Sequence, residues 1–390
     1  MTDRTAPAFT RLPDLASRAL AGSVVYANDE LFAERENLIR PGRAVFSTED
    51  FGHKGKTYDG WETRRRRETG NDYALIRLGV PGRVHGVVID TAWFIGNYPP
   101  FASVEATSVE GQPSPAELQQ ADWVTLVAKS EIEGNTDNFF EVTDARRFTH
   151  VRLSIYPDGG VARFRVHGTA LPDPRFLSGT VDLAAVEHGG RVVDCSNMFF
   201  SAPTNILLPG RSRQMDEGWE GARRRDSGND YVTVRLGARG AVRRVEIDTS
   251  NYVGNAPGWA VLRGADAASG ADLDLDDPSS WTELLPRTRL QPDARHFFRI
   301  GAGEPVTHVR LDVYPDGGVA RLRVHGEIDP ATLVADAVAW LDALPEPHAL
   351  QVLATDGGLA HDDARKLLAQ RPFASPDAVP SAVIDALLAR

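Results

Sequence analysis

Residues Thr149–Gly168 read THVRLSIYPDGGVARFRVHG, and residues Thr307–Gly326 read THVRLDVYPDGGVARLRVHG. The offset is 158 residues, and it also carries Gly60-Trp61-Glu62 onto Gly218-Trp219-Glu220 and Ile89-Asp90-Thr91 onto Ile247-Asp248-Thr249. Constant spacing over that length means two copies of one unit. The period lies far above that of solenoid repeats, so each copy is expected to carry its own core. Inside the first copy, Val151, Leu153 and Ile155 alternate with Arg152, Ser154 and Tyr156, the period of a half-buried strand. Tyr156-Pro157-Asp158-Gly159-Gly160 is a turn, because proline presets φ and glycine accepts positive φ. The next strand puts Ala162, Phe164 and Val166 on one face and Arg163, Arg165 and His167 on the other. Tyr73–Leu78 and Val87-Val88-Ile89 also read as strands. Short strands between Gly/Pro turns predict a mainly β protein with a β-sandwich in each copy.

Toward the start of each copy the offset is 168: Asn37-Leu38 matches Asn205-Ile206 and Pro41-Gly42 matches Pro209-Gly210. The change from 168 to 158 places ten additional residues in the first copy, between Gly42 and Trp61, within RAVFSTEDFGHKGKTYD. A loop that breaks the symmetry of a duplication is a candidate for function. After Asp329 the apolar spacing turns helical. The expected organisation is a first repeat over 1–170, a second over 178–328 and a small helical tail over 330–390.

Apolar residues make up 42% and charged residues 25% of the 390, an ordinary globular balance. The net charge of −11 offers no footprint for nucleic acid. No apolar run reaches the length of a bilayer, and MTDRTAPAFTRLPDLASRAL has no secretory apolar core, so a cytoplasmic protein with no membrane partner is expected. The single Cys195 cannot form an internal disulfide, which fits a reducing compartment.

Chemistry-bearing residues cluster in a few strings. Trp61-Glu62-Thr63-Arg64-Arg65-Arg66-Arg67-Glu68 and its counterpart from Trp219-Glu220 through Arg223 are either solvated loops or anion clamps. Arg163, Arg165 and His167 are either an outer sheet face, a packing surface or a substrate contact. Asp90 and Asp248 end apolar strands ahead of Gly96-Asn97 and Gly254-Asn255, and each is either a turn cap or an acid/base. No His/Cys/Asp/Glu spacing matches a metal motif, so no cofactor is required, although a divalent ion stays admissible.

Phe51-Gly52-His53-Lys54-Gly55-Lys56-Thr57-Tyr58-Asp59-Gly60-Trp61-Glu62-Thr63-Arg64-Arg65 resembles the signature of the allantoicase family. Ile89-Asp90-Thr91 with Gly96-Asn97, and Tyr156–Arg163, resemble that family's other shared strings, and the second copy carries matching ones. The resemblance covers residues 14–328. It implies a tandem jelly-roll sandwich similar to galactose-binding and discoidin modules. It also implies hydrolysis of allantoate to ureidoglycolate and urea in purine breakdown. On that reading Arg65, with Lys54 or Lys56, holds the substrate carboxylate, Glu62 or Asp90 is the acid/base, and Trp61 and Asn97 contact the substrate. Trp219, Glu220, Arg223, Asp248 and Asn255 form a second or degenerate site. At Gly70-Asn71-Asp72-Tyr73 the chain departs from the family's usual Gly-His-Asp-Trp, so no histidine stands there.

The tail's Leu344-Pro345 and Leu367–Phe373 resemble the opening helices of ureidoimidazoline decarboxylase, which implies a non-catalytic remnant or a docking element for a ureide-pathway partner. A homo-oligomer is expected. The competing readings are a carbohydrate- or small-ligand-binding tandem module without chemistry, or a structural scaffold.

Overall fold

The computed structural model describes residues 6–47, 49–52, 55–267 and 274–388. The chain forms two compact units. One comprises Met1–Leu171 with Trp340–Pro372, and the other Pro172–Ala339 with Phe373–Arg390.

The first unit is organised by one long strand, Asp72–Asp90. Its first part, Asp72–Arg77, pairs antiparallel with Ser23–Ala27 on one side and Arg147–Tyr156 on the other. Its last part, Gly86–Asp90, pairs with Asp137–Glu141 and Arg163–Ala170. Phe101–Thr107 and Val124–Glu131 extend the first layer beyond Arg147–Tyr156. The strand therefore serves both layers of a sandwich, changing partners where the register slips between Arg77 and Gly82. Pro81 and Gly82 bend the strand instead of ending it, which is why Tyr73–Leu78 and Val87–Ile89, expected as two strands, are one. Gly79 is required at this corner, since a Cβ there would lie 2.0 Å from the Leu20 carbonyl oxygen. Val151, Leu153, Ile155, Phe164 and Val166 are completely buried between the layers, as their alternation predicts.

The second unit repeats the plan. Asp230–Asp248 pairs first with Arg191–Cys195 and Val306–Tyr314, then with Arg295–Arg299 and Arg321–Ile328, with its slip between Arg235 and Gly240. Gly237 sits at the equivalent corner, its missing Cβ 2.0 Å from the His188 carbonyl oxygen.

The region after Asp329 forms helices Pro330–Ala343, Glu346–Thr355, His361–Leu368 and Ser381–Leu387. Arg371 donates to the carbonyls of Leu341, Asp342 and Leu344 at 3.1, 3.2 and 2.7 Å, covering acceptors that a helix end leaves open. Among the described residues, no helix is long and apolar enough to cross a membrane.

The arginine face of the Arg163–Ala170 strand is structural. Arg163 is 2% exposed, pairs with Asp59 at 2.6 Å and donates to the Asp59 carbonyl at 2.9 Å. Arg165 pairs with Asp14 and donates to the Gly42 carbonyl, and the His167 imidazole sits 2.8 Å from the Leu12 carbonyl. The face is covered by the repeat's own N-terminal segment and insert.

Candidate active site

The two-residue strand Trp61–Glu62 runs antiparallel to Gly160–Val161, with Glu62 opposite Gly160. The turn after Tyr156 thus leads into a short strand that holds the candidate loop. On its other side the Glu62 amide donates to the Ala33 carbonyl, and the Glu62 carbonyl accepts from Phe32 and Ala33. Gly160 donates its N–H to the Asn97 carbonyl at 2.8 Å, and the Asn97 side-chain amide donates to Glu62 Oε1 at 2.8 Å. Asn97 is therefore tied by its backbone to the residue that faces Glu62 and by its side chain to Glu62 itself. Burial raises the Glu62 carboxyl above its ordinary range, opposed only by the Asn97 hydrogen bond.

The second repeat reproduces this ring. Asn255 donates to Glu220 Oε1 at 2.7 Å, and Gly318 donates to the Asn255 carbonyl at 2.8 Å. Tyr252 stands where the first copy has Phe94, and its hydroxyl donates to the Met215 carbonyl at 2.7 Å.

The remaining candidates separate. Trp61 and Trp219 are completely buried, and their indole N–H groups donate to the Asp29 and Asn197 carbonyls at 2.8 and 2.7 Å. They anchor the loop from inside and offer no surface to a substrate, which corrects their assignment as contacts. Asp90 and Asp248 accept the Ala92 and Ser250 amides at 2.7 and 2.8 Å, so both act as turn caps. Asp248 is 1% exposed, which removes it from any substrate-facing role. Burial, reinforced by Asp137, raises the Asp90 carboxyl against the Ala92 amide, Arg165 and Arg163.

The arginine string alternates. Arg64 pairs with Asp29 and Arg66 with Asp72, the latter at 2.9 Å. Arg65 and Arg67 are exposed and form no ion pair among the described residues, and Arg223 and Arg225 repeat this around the Arg224–Asp230 pair. The loop thus turns Trp61 inward, holds Glu62 partly buried and leaves Arg65 in water. Asp72, in the string where a histidine is usual, is 1% exposed and bound by Arg66 and Asn28, a structural post. Lys54 lies outside the described residues. Lys56 places its ammonium 4.6 Å from the Phe46 ring centre and 5.7 Å from that of Phe51.

The insert also brings an aromatic stack that the string-by-string reading missed. Phe94 stacks on Tyr58 at 4.9 Å, Tyr58 on Phe46 at 5.6 Å, and Phe46 on Trp93 at 5.6 Å. The difference between Trp93 and Asn251 in the aligned copies was the clue available in the sequence. A cavity of about 570 Å³ begins at Tyr98, beside Asn97, and is lined by Phe101, Glu131, Glu133 and Phe140, but excludes Glu62. The half-buried Glu62 carboxyl with its fixed Asn97 amide partner, its pKa raised by burial, is the better chemical centre. Among the described residues no group of three His, Cys, Asp or Glu side chains gathers to hold a metal.

The fold and this paired site define a tandem jelly-roll protein with an internal duplication. The family model described as the allantoicase repeat matches residues 13–171 and 181–329, and its bounds reproduce the offsets of 168 and 158 seen in the sequence. A protein of Streptomyces avermitilis named "Probable allantoicase" is 52% identical over 334 residues, spanning 82% of this chain and 86% of that one. Another of the same name from Nocardia farcinica is 51% identical over 331 residues, spanning 84% and 98%. The crystal structure of allantoicase from Saccharomyces cerevisiae superposes with a TM-score of 0.70 at 35% identity, covering 80% of this chain and 92% of that one. The chain belongs to the allantoicase family.

Proposed function

We propose that this chain hydrolyses allantoate to ureidoglycolate and urea at the Glu62–Asn97 pair of the first repeat. Family membership carries the reaction and disfavours a binding module without chemistry. The observation that carries the location is the half-buried carboxyl of Glu62, held by Asn97 with no ion pair to a cation among the described residues.

Allantoate bears a carboxylate and two planar ureido groups on one carbon. Hydrolysis breaks one C–N bond; the departing nitrogen takes a proton to leave as urea, and water supplies hydroxyl to the carbon. A carboxyl whose pKa is raised by burial is suited to deliver that proton. Asn97 fixes its direction by binding one oxygen, leaving the other toward the substrate. The second N–H of the Asn97 amide remains for a ureido carbonyl. Arg65, exposed and without an ion pair among the described residues, three residues from Glu62, supplies a guanidinium fork for the substrate carboxylate, and Lys56 lies at the insert that flanks it.

The test is urea release from Glu62→Gln and Arg65→Ala. The expected results are a loss of about 10²–10⁴-fold in kcat for the first and a raised KM for the second. Near-normal turnover in both folded variants overturns this placement. Glu220→Gln, assayed alongside, tells whether the second ring also works.

The same proposal includes self-association. Among the described residues, the strands Asp137–Glu141 and Arg295–Arg299 each pair on one side only, with Asp72–Asp90 and Asp230–Asp248. They occupy equivalent places, yet one carries Asp137, Phe139 and Glu141 on a face and the other Arg295, Phe297 and Arg299. Phe297 is 57% exposed. Charge-matched edges of this kind suit pairing between copies of the chain. A cytoplasmic, reducing setting accords with the single half-buried thiol of Cys195, whose pKa burial raises. Docking of a pathway partner on the helical tail stays part of the proposal.

A further inference from the structure

We propose that the indole of Trp93 is the surface on which a planar ureido group of the substrate stacks, a feature confined to the first repeat. The inference rests on the placement of the site at Glu62 and Asn97.

Trp93 has φ of 70°, in the left-handed region where a bulky side chain is an outlier. At the equivalent position the second copy has Asn251 with φ of 73°, a residue type that tolerates this conformation. The surroundings match as well: the Trp93 amide donates to Asn135 Oδ1 at 2.9 Å, and the Asn251 amide donates to Asp293 Oδ1 at 2.8 Å. The backbone conformation therefore belongs to the fold, and the first copy has placed on it a side chain that fits it poorly. Such strain persists where surrounding structure imposes it, and it collects at functional sites.

What holds the side chain there is the insert. The Trp93 ring lies 18° from parallel to Phe46, and its Nε1–H donates to the Ala44 carbonyl at 3.0 Å. Both partners belong to the segment that only the first copy elaborates. The core role in this loop is already filled by Phe94, which is 1% exposed and packs where Gly60 and Gly160 have no side chain. Trp93, held by two contacts and costly in backbone, is nevertheless 45% exposed. The same loop ends in Asn97, four residues on, which orients Glu62. A fixed π-face on the loop that carries Asn97, the partner of Glu62, suits a flat conjugated amide, whose polar edge is then left for Asn97.

Two measurements decide this. In the active enzyme, Trp93→Asn installs the second copy's residue and is expected to raise KM about tenfold or more, with a smaller effect on kcat. Trp93→Phe, which retains a ring, is expected to recover most of the affinity. In the Glu62→Gln background, titrating allantoate is expected to change tryptophan emission saturably, and adding Trp93→Phe is expected to abolish that change. A folded Trp93→Asn protein with wild-type KM, or an emission change that survives Trp93→Phe, overturns the proposal. Turnover of Glu62→Gln judges the site itself, so the two failures are distinguishable.

Discussion

Asn97 donates its side-chain amide to Glu62 at 2.8 Å, and its own carbonyl accepts from Gly160, the residue that faces Glu62 across a two-residue strand. Three backbone segments distant in sequence thus converge on one carboxyl. Burial disfavours its charged form, and the one hydrogen bond that favours charge comes from a neutral amide. The arrangement shifts this carboxyl toward its protonated form relative to one in bulk solvent.

Because the Glu62 pKa is raised by burial, activity that needs its proton is retained at low pH and lost as pH rises through the shifted value, above the ordinary 4.5. Asn97→Asp replaces the neutral donor with a second carboxyl, which raises Glu62 further. The expected outcome is a kcat/KM profile whose alkaline limb moves to higher pH. The folded state binds this proton more tightly than the unfolded chain does. The stabilisation is therefore full below the unfolded pKa and fades as pH rises through the folded one. A profile unmoved by Asn97→Asp speaks against Glu62 as the acid.

Asp59 and Arg163 behave oppositely. Burial would raise Asp59, but hydrogen bonds from Arg163 and the Val45 amide, with the charges of Arg163 and Arg40, hold it below 3.8. Its contribution is present above the unfolded pKa and is lost as pH falls through the folded one. Arg163→Met leaves Asp59 without its main partner and the Asp59 carbonyl without a donor. Since Asp59 keeps some contact with water, the expected loss is about 2–3 kcal/mol, toward the low end for breaking a buried pair. Urea denaturation of the first repeat's signal checks it; Arg40→Met, at a more exposed pair, is expected to cost about 1 kcal/mol or less.

The opposed edges Asp137–Glu141 and Arg295–Arg299 predict an association sensitive to charge. Reversing Asp137 and Glu141 to Arg, or Arg295 and Arg299 to Glu, is expected to lower the oligomer mass in sedimentation. Mixing the two reversed proteins sets the newly basic edge of one against the newly acidic edge of the other and leaves their wild-type edges matched, so a mixed species returns. An unchanged mass in both variants removes this interface.

Much of the fold was legible because it depends on local periodicity and on repetition. The alternation in Val151–Ile155 and the YPDGG turn are properties of neighbours in the chain, and the buried side chains follow them. The joined strand Asp72–Asp90 was less legible, since Pro81 and Gly82 look like a break until strands on both sides hold the backbone through it. The site was only partly readable. Glu62 and Asn97 stood out as strings, but their contact spans 35 residues of sequence. Trp61 reads equally well as a substrate contact or a core anchor, and the Asp29 carbonyl, 32 residues upstream, decides between them.

The sequence by itself determined that the chain is a duplication of one β unit, how the copies differ in length, and which residue strings both retain. Those are facts of order and spacing along a chain. Only the tertiary structure decided which arginines of Arg64–Arg67 are pinned, that both candidate aspartates cap turns, and that Glu62 is partly deprived of water without a counter-charge among the described residues. Desolvation and pairing depend on what surrounds a group in space, and those surroundings are assembled from segments that the linear order keeps far apart.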